Sequence, residues 1–133
     1  MPEENVSVRD KRLFVLGQYP IDGQAVKRLA KAGTKWLEAN RQTVNALNVF
    51  PVPDGDTGTN MVLTMKAAME EIEDSAERGA GKMLDILAKG ALLGARGNSG
   101  VILSQLWRGF ARSMEGKDIL DELGEETRRA LGL

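Results

Sequence analysis

The sequence contains no cysteine and no histidine. Without cysteine there is no disulfide framework and no thiolate chemistry. Without histidine, imidazole acid–base catalysis and every His-containing metal site are excluded. Any bound metal must be held through oxygen, which favours a hard ion such as magnesium. Neither sign of charge is in excess: 18 Lys and Arg face 19 Asp and Glu, for a net charge of −1. That balance removes the electrostatic case for nonspecific nucleic-acid binding. No stretch approaches the roughly 20 apolar residues needed to cross a bilayer. The N-terminus begins acidic and lacks the apolar core of a secretory signal. A soluble, cytoplasmic protein is the expectation. Strands are lacking too, because no useful length alternates with period two.

What is present suits one domain: 133 residues, 42% hydrophobic and 28% charged, enough to build a core. Residues 1–20 read as a flexible extension with a short apolar patch at Leu13–Leu16. Residues 21–133 read as the domain. From Asp22 the period is helical, with Val26, Leu29, Ala30, Gly33, Trp36 and Leu37 as the apolar stripe. The pattern fades near Asn40, resumes through Val44 and Leu47, and ends before Pro51. Further helices are predicted over Thr59–Asp74 (Val62, Met65, Met69, Ile72 inward), Ala80–Leu93 (Met83, Leu84, Leu87, Ala91) and Ser99–Met114 (Leu103, Leu106, Trp107, Phe110). A charged segment, Asp118–Leu133, reads as part of a fifth. Trp36 and Trp107 are read as core aromatics, and the acidic run Glu70, Glu71, Glu73, Asp74 as a solvated helix end. The fold class is all-α.

Two glycine-rich loops interrupt this pattern, NVFPVPDGDTGTNM (Asn48–Met61) and GARGNSG (Gly94–Gly100). Pro51 and Pro53 bias the residues before them away from helix and lead the chain, extended, to Asp54. Asp54-Gly55-Asp56 has two readings. It is an ordinary turn with a helix cap, or a pair of carboxylates aimed at magnesium, with Gly55 letting the chain wrap closely. Thr57, Gly58, Thr59 and Asn60 follow at a helix start, where unpaired N–H groups and a partial positive charge suit phosphate oxygens. The Walker pattern GxxxxGK[ST] is absent. In the second loop, Gly97 and Gly100 allow close approach, and Asn98 and Ser99 are helix caps or ligand contacts. Arg96 faces either phosphate or solvent. Two such loops, each opening a helix, favour a site at one end of a bundle.

With both loops in view, the chain resembles the N-terminal nucleotide-binding domain of the bacterial fatty acid kinase ATP-binding subunit. That domain is similar to the DhaL-type, ADP-binding subunit of dihydroxyacetone kinases. The motifs that carry the resemblance are NVFPVPDGDTGTNM and GARGNSGVILSQLWRG, and it runs from Ile21 to about Met114, more weakly to Leu133. It implies an antiparallel barrel of amphipathic helices with ATP or ADP at one end. It implies magnesium at Asp54 and Asp56, with Asn48 near a further ligand position, and phosphate contacts from Thr57, Gly58, Thr59, Asn60, Asn98, Ser99 and Gly100. The implied reaction moves the γ-phosphoryl of ATP to a fatty acid carboxylate presented by a separate lipid-binding partner. Dihydroxyacetone kinase relatives carry His after the second aspartate, where this chain has Thr57, so the resemblance is to the fatty acid kinase branch. The family domain continues for further helices. An incomplete barrel, inactive alone and either self-associating or completed by another chain, is therefore expected. The rival expectations are a non-catalytic interaction module and a kinase subunit acting on a small hydroxyl compound such as dihydroxyacetone.

Overall fold

The computed structural model describes residues 21–49 and 53–119. The described residues form five helices and no strand: α1 (Gly23–Ala39), α2 (Arg41–Ala46), α3 (Thr57–Ile72), α4 (Ala80–Leu93) and α5 (Gly97–Ser113). The expected all-α bundle is what is observed. The apolar patch at Leu13–Leu16 lies outside the described residues. So does the last predicted helix beyond Ile119, and Asp118 and Ile119 themselves sit in a bend.

Helix α4 is the centre, packed against α1, α3 and α5. Its buried positions alternate large and small residues: Met83, Leu84 and Leu87 fill the core, while Gly81, Ala88, Gly90 and Ala91 admit neighbouring backbones. A Cβ on Gly90 would lie 2.7 Å from Glu71 Cγ and 3.0 Å from Ala68 Cα, so α3 rides directly on this helix. On α3, Val62, Met65, Ala68 and Ile72 face inward as predicted, with Met69 half-buried. Helix α5 buries Gly100, Ser104 and Ala111. Its Trp107 indole donates to Met65 Sδ at 3.1 Å and meets Phe110 edge-on at 6.4 Å. Trp107, read from the sequence as a core aromatic, is half-buried and packs against the core.

Four positions of the predicted apolar stripes are exposed instead of buried: Leu29, Gly33, Trp36 and Leu106, with Trp36 at 75% and Leu106 at 67%. Helix α1 is capped by Asp22, whose carboxylate accepts from Ala25 N at 2.9 Å. It packs through Ala25, Val26, Ala30 and Thr34, so Leu29, Gly33 and Trp36 fall on its outer edge, where all three are exposed. In α5, Leu106 lies opposite the Gly100–Ser104–Ala111 contact line. An apolar groove of about 370 Å³ lies among α1, α3 and α5, with Leu29, Leu37, Met61, Leu103 and Phe110 in its lining.

The connections behind the core are tied by backbone carbonyls. Gly23 N donates to Arg78 O at 2.9 Å, and Gln24 Nε2 to Ser75 O and Glu77 O at 3.1 and 2.9 Å. Lys27 Nζ donates to Glu73 O and Ser75 O, both at 3.0 Å. A cation there offsets the acidic run Glu70, Glu71, Glu73 and Asp74, which is solvent-exposed as expected and opposes the helix dipole. Lys66, unremarkable in sequence, donates to Glu38 at 2.9 Å and links α3 to α1. Its hydrogen bond and charge hold the Glu38 carboxyl below the ordinary value.

The glycines separate cleanly by environment. A Cβ on Gly81 would strike the carbonyl of Met114 and sit 3.0 Å from Lys117 O, whereas one on Gly33 meets nothing within 4 Å. Gly81→Ala is expected to cost about 1–3 kcal/mol through overpacking. Gly33→Ala, on an exposed helix interior, should stabilise by about 0.5–1 kcal/mol. Urea denaturation of both variants checks the pair, and equal effects would contradict this packing.

Candidate functional site

In the first loop Gly55, between Asp54 and Asp56, adopts φ 64°, a conformation that disfavours any side chain. Asp54 and Asp56 are both exposed. Repulsion between them is correspondingly screened by water. Helix α3 starts at Thr57, two residues earlier than predicted, with Asp56 in the cap position. The Asp56 side chain makes no capping hydrogen bond.

Neutral amides cap α3 instead. The Asn48 side-chain oxygen accepts from Asp56 N at 3.1 Å and from Thr57 N at 3.2 Å. Asn45, on α2, accepts from Thr59 N at 3.0 Å and donates through Nδ2 to Thr59 Oγ1 at 3.0 Å. Gly58 is wedged beneath α2: a Cβ there would lie 2.5 Å from Arg41 O and 2.9 Å from Asn45 Oδ1. Sequence reasoning missed Asn45. The available signal was asparagine within a short helical stretch, where it competes with the backbone unless its amide has a job.

The second loop meets the first directly. Gly97 also adopts φ 64°, and a Cβ on it would collide with the Asn60 carboxamide. Thr64 forms the joint. Its buried hydroxyl donates to Asn60 O at 2.8 Å and accepts from Arg96 N at 3.1 Å. Gly100 presses on the same hydroxyl, leaving no room for a side chain. Ser99 Oγ donates to Thr57 O at 3.3 Å. Helix α5 starts at Gly97 with Arg96 at the cap position, not Ser99 or Asn98. Asn98 and Arg96 are exposed.

The structure therefore brings Asn48, Asp56, Thr57, Thr59, Asn60, Ser99 and Gly100 into one connected cluster, with Asp54 and Asn98 at its exposed rim. Among the described residues no group of three or more Asp or Glu comes together. Asp54 and Asp56 offer oxygen donors of the kind magnesium takes alongside waters and phosphate oxygens, whereas the Asn48 amide oxygen is engaged by Asp56 N and Thr57 N. None of the described helices is long and apolar enough to cross a membrane.

Thr64 is the test of the joint. Thr64→Val keeps the shape but removes the acceptor for Arg96 N, leaving that N–H unsatisfied. We expect a loss of about 1–3 kcal/mol in urea denaturation and a far smaller one for Thr64→Ser. An unaltered Thr64→Val variant would show that the joint does not depend on the hydroxyl.

The profile of the DAK2 domain family matches residues 51–131. The chain is 50% identical to Protein YloV of Bacillus subtilis over 103 residues, which are 77% of this chain and 19% of that protein. It is 48% identical over 97 residues to uncharacterized proteins of Staphylococcus epidermidis and Staphylococcus aureus, covering 73% of this chain and 18% of each. The chain thus spans about a fifth of the length of these curated relatives. On the match over residues 51–131, which takes in both α-helix starts just described, the chain belongs to the DAK2 domain family of kinase-related, nucleotide-binding domains.

Proposed function

We propose that this chain is the ATP–magnesium-binding domain of a fatty-acid-kinase-like phosphotransferase. The observation that carries the reading is the joining of two glycine-opened helix starts through Thr64, Asn60 and Gly97. Two helix N-termini set side by side concentrate partial positive charge and backbone donors where a polyphosphate would lie.

In this reading Asp54 and Asp56 hold magnesium, with Asn48 beside them, and the ion when bound neutralises charge on the phosphate oxygens. Thr57, Gly58, Thr59 and Asn60 receive phosphate on one side, and Asn98, Ser99 and Gly100 on the other. The chain's own contribution is positioning: it holds the phosphates in line for attack and needs no histidine base. A fatty acid carboxylate oxygen attacks the γ-phosphorus as the bond to the β–γ bridging oxygen breaks, giving an acyl phosphate and ADP. A carboxylate nucleophile carries no proton to remove, which fits a site without a general base. The acceptor is presented by a separate fatty-acid-binding protein in the cytoplasm, and further chain or a second copy completes the enzyme. Thr57 in place of histidine favours this acceptor over dihydroxyacetone.

A second reading, a non-catalytic interaction module, is favoured by the exposed Trp36 and Leu106 and by the apolar groove between α1 and α5. It predicts no acyl phosphate when ATP, fatty acid, the binding partner and a full-length relative's remaining domains are supplied together.

Calorimetric titration of the 133-residue chain with ADP, with and without magnesium, tests the first reading. Magnesium-dependent binding is expected, and the Asp54→Asn/Asp56→Asn double variant should lose it. Binding by that variant equal to wild type would sink the assignment of the two carboxylates.

A further inference from the structure

Thr59 is held by Asn45 in a way that restricts the direction of its hydroxyl proton. A backbone N–H can only donate, so the Asn45 atom facing Thr59 N must be the carbonyl oxygen. The orientation of the carboxamide is thereby settled, and its NH₂ faces Thr59 Oγ1 at 3.0 Å. The NH₂ group can only donate, so Thr59 Oγ1 accepts, and its own proton must point elsewhere. Among the described residues that proton has no acceptor. Thr59 lies in the first turn of α3, one residue from Asn60, on which Gly97 rests. Asn45 and Thr59 are both half-buried.

We infer that Asn45 is a positioning residue that turns the Thr59 hydroxyl proton away from α2 and so favours its donation to a phosphate oxygen. This rests on the nucleotide reading above, and it adds a residue from α2 that touches no ligand itself. A hydroxyl free to rotate must lose that freedom on binding. One already committed as an acceptor on its protein side has fewer rotamers to lose when it presents its proton. The arrangement also explains why α2 is pressed onto Gly58: only that contact brings Asn45 within reach of both Thr59 atoms.

The test is titration of the whole chain with ADP and magnesium chloride across five variants, with thermal melting as the fold check. Asn45→Ala and Thr59→Val should each weaken binding about ten-fold or more, as expected for a lost hydrogen bond to a charged oxygen. The double variant should be no weaker than Thr59→Val beyond about two-fold, because Asn45 acts only through that hydroxyl. Thr59→Ser should bind within a few-fold of wild type. Asn45→Asp keeps an acceptor for Thr59 N but can no longer donate. The Thr59 proton should then turn toward the new carboxylate, and binding should fall as in Asn45→Ala. This variant decides the matter if Asn45→Ala melts early. Wild-type affinity in a folded Asn45→Ala or Asn45→Asp variant overturns the inference while leaving the nucleotide reading intact. Losses that multiply in the double variant overturn it as well, since Asn45 would then act by another route. Absence of magnesium-dependent ADP binding by the wild-type chain overturns the nucleotide reading, and this inference with it.

Discussion

The hydroxyl of Thr64 is the constraint on which the polar end of this bundle depends. It is completely buried, and it is satisfied on both sides, as donor to Asn60 O and acceptor from Arg96 N. The Arg96 N–H at the start of α5 is partly buried, and its bond to Thr64 ties the second loop to that oxygen. That one position then dictates the rest. Gly100 must lack a side chain because it packs on the hydroxyl, and Gly97 must lack one because it packs on Asn60. Ser99 is carried to the Thr57 carbonyl as a consequence.

The core makes such close approach possible. Helix α4 presents Gly81, Ala88, Gly90 and Ala91 among its larger residues, and α3 settles onto it at backbone distance. Dispersion and apolar burial then hold α3 in a fixed register, which in turn fixes Thr64. The opposite end is closed differently. There Gly23, Gln24 and Lys27 answer the carbonyls of residues 73–78, and Ala80 and Gly81 donate to Asp118 and Lys117. One end spends its backbone groups on itself, while the other keeps polar side chains at a solvent-facing rim.

Much of this was legible in the sequence for a physical reason. Helices α3, α4 and α5 have clear 3.6-residue patterns, and glycine-rich breaks bounded them to within two residues. Side-chain burial was less legible. A stripe marks one broad face but not which edge of it a neighbour covers, and so Trp36 and Leu106 read as core although they are exposed. The caps were misplaced for a related reason. Local rules favour Thr, Ser and Asn at helix starts, yet the caps arrive from distant residues: Asn48 and Asn45 for α3, and Thr64 for Arg96 N beside α5. Contacts between residues 8 to 32 positions apart leave no local signature.

That misplacement bears on the question the aspartates raise. A Pro-Asp-Gly-Asp sequence before a helix has an ordinary structural use, with the second aspartate capping the first turn. Here the capping is done by uncharged carboxamides, and the Asp56 carboxylate makes no capping bond. A carboxylate held over its own helix N-terminus would neutralise the partial charge that attracts an anion. An amide oxygen satisfies the same N–H groups and leaves that charge in place. Capping α3 and the proposed magnesium site are therefore not competing uses of one loop. The two asparagines cap α3, and Asp54 and Asp56 remain exposed, with the Asp56 carboxylate uncommitted to the cap.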